Sequence, residues 1–155
     1  MIQRMQSIWL LLATLTLICL FFLPLLTKTI AETESSVYTT GLHKKIDATT
    51  GSMDVLEFNF ASLVLNISAA LFSLTAIFLF KNRSLQKRII FLSILIIIAL
   101  TVLCGIQAPQ LLGGFEGSLI AVGSFLPPLA IISCLLAIRG IRKDEQLLRS
   151  ADRLR

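Results

Sequence analysis

Charged residues vanish from the chain in four places. Ile8–Leu26, Phe58–Phe80, Ile89–Ile106 and Ser118–Ile138 carry no Asp, Glu, Lys, Arg or His, and together they hold 81 of the 155 residues. Their lengths are 19, 23, 18 and 21 residues. A helix rises about 1.5 Å per residue, so roughly 20 apolar residues cross a hydrocarbon core of about 30 Å. Membrane strands would need only about 10 residues, alternating apolar and polar, and that alternation is missing. Lipid leaves a spanning backbone to satisfy its own hydrogen bonds, which a helix does within one segment. The pattern predicts an all-α membrane protein with four transmembrane helices. It forms a single membrane domain over 1–155, with spans at about 8–26, 58–80, 89–106 and 118–138. Loops at 27–57 and 107–117 lie on one side, a loop at 81–88 and a helical tail at 139–155 on the other. Composition agrees: 55% of residues are hydrophobic and 15% charged, against about a quarter charged in soluble domains.

Charge sets the orientation. Lys and Arg collect on the cytoplasmic side of short loops. Arg4, the loop residues Lys81, Arg83, Lys87 and Arg88, and the tail residues Arg139, Arg142, Lys143, Arg149, Arg153 and Arg155 make eleven on one side. Lys28, Lys44 and Lys45 make three on the other. Both termini are therefore expected in the cytoplasm. The net charge of +5 reads as a topology signal and a site for anionic lipid or a docking partner, not for nucleic acid, because the basic residues cluster at helix ends. Small residues in "TIA" at Thr29–Ala31 fit a signal-peptidase site, but a 19-residue apolar run is long for a signal core. The first segment is expected to stay as a span.

Span two carries a second pattern. Asn59, Ser62, Asn66, Ala69, Ser73 and Ala76 follow one another at alternating steps of three and four. This is a heptad seam of small or polar residues, predicting left-handed packing against another helix, in the same chain or in a partner. A polar path for a solute is the sharper alternative. Span three, by contrast, is Ile and Leu on nearly every side and is expected to be the most lipid-exposed. Span four holds Pro127 and Pro128 near its middle. Each removes a backbone hydrogen bond and crowds the carbonyl four residues earlier, here those of Gly123 and Ser124, so a kink is expected.

Little chemistry appears. No ionisable residue lies within a span, which argues against a proton relay or coupled pump. His43 is the lone histidine, with no second ligand at metal spacing, and no metal or cofactor is expected. Cys19, Cys104 and Cys134 all fall in spans and read as small apolar residues. No nucleophile–base constellation is visible, so the chain does not read as an enzyme. In the first loop, "SVYTT" favours extended backbone, Gly41 and Gly51 suggest turns, and a hairpin starting at Ser36–Thr40 is possible. About 30 residues bury little core alone, so this loop is expected to rest on the bundle or on a partner.

In the tail, Leu147, Ala151 and Leu154 share a face, and Glu145 precedes Arg149 by four residues, the favourable order for a helical ion pair. "MIQRMQSIWLLLA", "NRSLQKR" and "LAIRGIRKDEQLLRSADRLR" together give the chain a resemblance to the domain-of-unknown-function family 4293, over nearly its whole length. The resemblance implies a small four-helix protein of the inner membrane of Gram-negative bacteria. It implies no activity and no catalytic residues. The expected function is that of a non-enzymatic accessory or scaffold subunit, in contact with membrane lipids and with another membrane protein or a second copy of itself. The alternative is a small transporter or lipid-handling protein using the polar face of span two and a kinked span four.

Overall fold

The computed structural model describes residues 3–30, 33–45, 53–80, 82–107, 109 and 119–152. It is mostly helical. α1 (Gln3–Cys19), α2 (Phe60–Phe78), α3 (Arg83–Gln107) and α4 (Leu126–Asp152) form a ring in which α1 packs between α4 and α2, and α3 packs against α2. The α3–α4 seam closes the ring and is the most sparsely packed of the four.

On α2 the pattern of a soluble bundle is reversed. α2 buries Ser62, Asn66, Ala69, Ser73 and Ala76, while Val64, Ile67, Leu71 and Leu74 face outward. α1 likewise exposes Ile8, Leu11, Leu15 and Ile18. Large apolar side chains pointing away from the interior suit a lipid solvent, and small or hydroxyl-bearing residues let helices approach inside it. Three helical segments, Phe60–Phe78, Arg83–Gln107 and Val122–Leu147, are long and apolar enough to cross a membrane, which marks a membrane protein. α1 is shorter. Its 17 residues rise about 25 Å, less than a typical hydrocarbon core of roughly 30 Å.

The all-α expectation is corrected by a sheet. The 27–57 loop and the residues after 118 form five antiparallel strands, β1 (Leu26–Ile30), β2 (Thr33–Tyr38), β3 (Gly41–Lys45), β4 (Met53–Phe58) and β5 (Leu119–Ile120), in the order β4-β3-β2-β1-β5. Thr39 and Thr40 make the two-residue turn between Tyr38 and Gly41, which are directly paired. Gly41 has φ +132°, and a Cβ there would lie 2.0 Å from the Glu57 carbonyl oxygen, so only glycine fits. Val37 and Leu42, with Leu26 against them, form the sheet's own small core.

Two spans change shape accordingly: span one, expected to run to Leu26, is helical only to Cys19, and Leu26 opens β1. Residues 119–125, expected at the start of span four, are β5 and a single 3-10 turn, Val122–Phe125. Pro127 and Pro128 then fall in the first turn of α4, not in its middle. There the missing N–H would have had no helical partner anyway, so the prolines start the helix instead of kinking it. α4 continues without a break to Asp152, so residues 139–152 prolong the same helix. α3, expected to be the most exposed helix, buries 33% of its spanning segment against 28% for α2. Its own line of Gln86, Ile90, Ser93, Ile97, Leu100, Cys104 and Gln107 is buried.

Candidate functional site

The α2 seam is consumed within the chain. The Ser73 hydroxyl donates to the Leu10 carbonyl on α1 at 3.2 Å, and Thr14 Oγ1 donates to Ser73 Oγ at 3.2 Å. On the other side, Ser93 Oγ of α3 donates to the Ala69 carbonyl at 3.2 Å, and Gln86 Nε2 donates to the Ala76 carbonyl at 2.9 Å. Ser62 Oγ donates to the Thr39 carbonyl at 2.8 Å, which ties the start of α2 to the sheet. Asn59 leads the seam in sequence but caps the helix: its Oδ1 accepts from the backbone N–H groups of Ala61 and Ser62 at 3.0 and 3.2 Å. Asn66 is fully buried, and neither atom of its amide has a partner among the described residues.

Gly123 and Ser124 join the bundle to the sheet. The Gly123 N–H donates to the Pro24 carbonyl at 3.0 Å, and the Ala121 N–H donates to the Leu25 carbonyl at 3.0 Å. Ser124 Oγ also donates to the Leu25 carbonyl, so it serves the residue just ahead of β1 and not a carbonyl freed by proline. A Cβ on Gly123 would lie 2.3 Å from the Pro24 oxygen.

Two cavities flank the sheet end of α3. One, of about 130 Å³, is lined by Leu42, Glu57, Phe58, Asn59, Phe60 and Gln107. The other is an open, mostly apolar groove of about 280 Å³ lined by Leu25, Leu26, Thr101, Cys104, Gly105, Ile120 and Ser124. Neither is lined by Ser62, Asn66, Ala69, Ser73 or Ala76. Nearby on β3, His43 Nε2 lies 2.8 Å from Thr40 Oγ1, and its ring meets Tyr38 edge-on at 4.8 Å. Burial holds its pKa below the ordinary 6.5. Among the described residues no three His, Cys, Asp or Glu side chains come together as a metal site. Cys19, Cys104 and Cys134 are unpaired thiols.

The opposite end of the bundle is charged. Lys87 of α3 pairs with Glu145 of α4 at 2.9 Å, and Gln6 of α1 donates to the buried Asp144. Arg88, Arg139, Arg142 and Lys143 are exposed, and Arg83 is half-buried. Lys81, Arg153 and Arg155, and the side chains of Arg149 and Ala151, lie outside the described residues. The described basic residues thus share α3 and α4 with an ion pair and a buried carboxylate that together link three helices.

The family described as a domain of unknown function (DUF4293) matches residues 2–154. The chain belongs to this family. No match is found among curated proteins. DUF4293 membership covers the bundle and the sheet together, and a family of unknown function assigns no role to any residue. Of the smaller cavity's lining, only Asn59 was singled out in the sequence as a site residue. One signal was there: Ile90, Ser93, Ile97, Leu100, Cys104 and Gln107 run at alternating steps of three and four, masked by the Ile and Leu around them.

Proposed function

We propose that this protein is a non-enzymatic accessory or scaffold subunit of a bacterial inner-membrane complex. All four helices span, both termini are cytoplasmic, and the sheet is presented on the extracytoplasmic side. The observation that carries this reading is the fusion of sheet and bundle. Strands from two separate loops pair, with β5 on β1 at Leu26–Ile120 and Thr27–Leu119, and Ser62, Gly123 and Ser124 bond the helix ends to the β2–β3 turn and to the Pro24–Leu25 segment that leads into β1. A platform held at both ends suits docking better than gating. α1 joins as the fourth span because its outward Ile8, Leu11, Leu15 and Ile18 would otherwise expose an apolar stripe to water. The eleven-to-three distribution of Lys and Arg sets the direction.

Purification from native membranes in mild detergent, followed by native mass measurement, tests the role. A stoichiometric partner, or a defined homo-oligomer, supports it; a bare monomer overturns it. Topology is checked separately with single cysteines in a cysteine-free background. Thr29→Cys should react with an impermeant thiol reagent added to intact spheroplasts, and Ser84→Cys should react only after lysis.

The lipid-handling alternative is favoured by one feature, the apolar groove lined by Leu25, Leu26, Thr101, Cys104, Gly105 and Ile120. A lipid that co-purifies at fixed stoichiometry and is lost in Gly105→Phe, which would fill the groove, supports that reading.

A further inference from the structure

We propose that the smaller cavity, where the end of β4 and the start of α2 meet the end of α3, binds a small organic ammonium group. The inference rests on the cavity's chemistry and stands whether or not the protein is a subunit.

Among the described residues, Glu57 is the only charged one lining this space, and its side chain makes no ion pair or hydrogen bond with the others. Gln107 lines it as well. It is 7% exposed, and neither its Oε1 nor its Nε2 has a partner among the described residues. A buried amide with both atoms unpaired costs free energy that a ligand's donor and acceptor would recover. Phe58 and Phe60, both well exposed, also line it, and phenyl ring faces attract cations. The start of α2 does not make this an anion site. Asn59 already occupies the N–H groups of Ala61 and Ser62, and the Glu57 carboxylate repels a negative charge. A volume of about 130 Å³ suits a headgroup of a few heavy atoms and no larger molecule. One carboxylate, one amide and two rings fit an ammonium bearing a hydroxyl or ester oxygen, as in ethanolamine. The group could be free or carried on a phospholipid.

The test uses the full chain, labelled with 15N and placed in nanodiscs. Ethanolamine is titrated at constant ionic strength into phosphatidylglycerol discs, and the Gln107 side-chain amide and the Glu57–Phe60 backbone resonances are followed. A saturable shift is expected. Glu57→Gln, at an exposed position that leaves the fold alone, should weaken it about tenfold, the loss expected for one charged hydrogen-bond partner. Discs made with phosphatidylethanolamine separate the sources. Resonances already shifted there, with no further response to ethanolamine, identify the lipid headgroup; a full ethanolamine response in both lipids identifies the free amine. No saturable shift with either probe, or a shift unchanged in Glu57→Gln, overturns the proposal and leaves a water-filled cavity.

Discussion

The Ser62 hydroxyl donates to the Thr39 carbonyl at 2.8 Å, so the first turn of α2 is bonded to the tip of the β2–β3 turn. Both residues are fully buried. Removing the hydroxyl leaves a buried carbonyl short of its donor. Ser62→Ala should cost about 1–2 kcal/mol, read as a lower melting temperature in detergent, with earlier loss of strand signal than of helix signal.

Asn66 gives the opposite expectation. Its amide is buried at 0% exposure with no partner among the described residues. Leu has the same number of side-chain heavy atoms and no polar group to desolvate. Asn66→Leu should raise stability by about 1–3 kcal/mol. A loss of stability would mean that the amide has a partner in the native membrane.

Gly41→Ala should be severe. The residue sits at φ +132° with a Cβ position 2.0 Å from the Glu57 carbonyl, so strain and clash add. A loss of at least about 2 kcal/mol is expected, visible as loss of the β3–β4 amide protection in hydrogen exchange.

The prolines should be mild by comparison. Pro128 is exposed and lies in the first turn of α4. Pro128→Ala should change stability by less than about 1 kcal/mol, whereas relief of a mid-helix proline would stabilise by about 3 kcal/mol.

His43 makes the sheet sensitive to acid. Burial lowers its folded pKa below 6.5, so the folded state prefers the neutral ring. Its contribution to stability is present above about pH 6.5 and is lost as pH falls from there through the lowered folded value. Chemical denaturation between pH 7.5 and 5 should show a stability loss that His43→Gln reduces.

The helices were legible because their cause is local. Charge-free runs of helical length and steps of three and four along Ser62, Asn66, Ala69, Ser73 and Ala76 are written in consecutive residues, and helical hydrogen bonds close within four residues. The same locality let the charge asymmetry between loops be read directly. The seam's partner was not legible. Only packing shows that Ser73 meets Leu10 and that Ala69 meets Ser93.

The β2–β3 hairpin was legible in "SVYTT" and Gly41, but the rest of the sheet was decided by tertiary structure. Its β1–β5 edge joins Leu26 to Ile120, residues separated in sequence by α2 and α3, and β5 is two residues long, too short to show alternation. Leu119 and Ile120 read as membrane residues because they are apolar and follow a turn-rich loop. Pairing with Leu26 and Thr27, and the bonds from Gly123 and Ser124 to Pro24 and Leu25, draw them into the sheet instead. That in turn moves the start of α4 to Leu126 and turns Pro127 and Pro128 from an expected kink into a helix start. Apolar character tells where a chain avoids water. Which apolar residues become strand and which become helix depends on backbone partners nearly a hundred residues away, and no local pattern carries them.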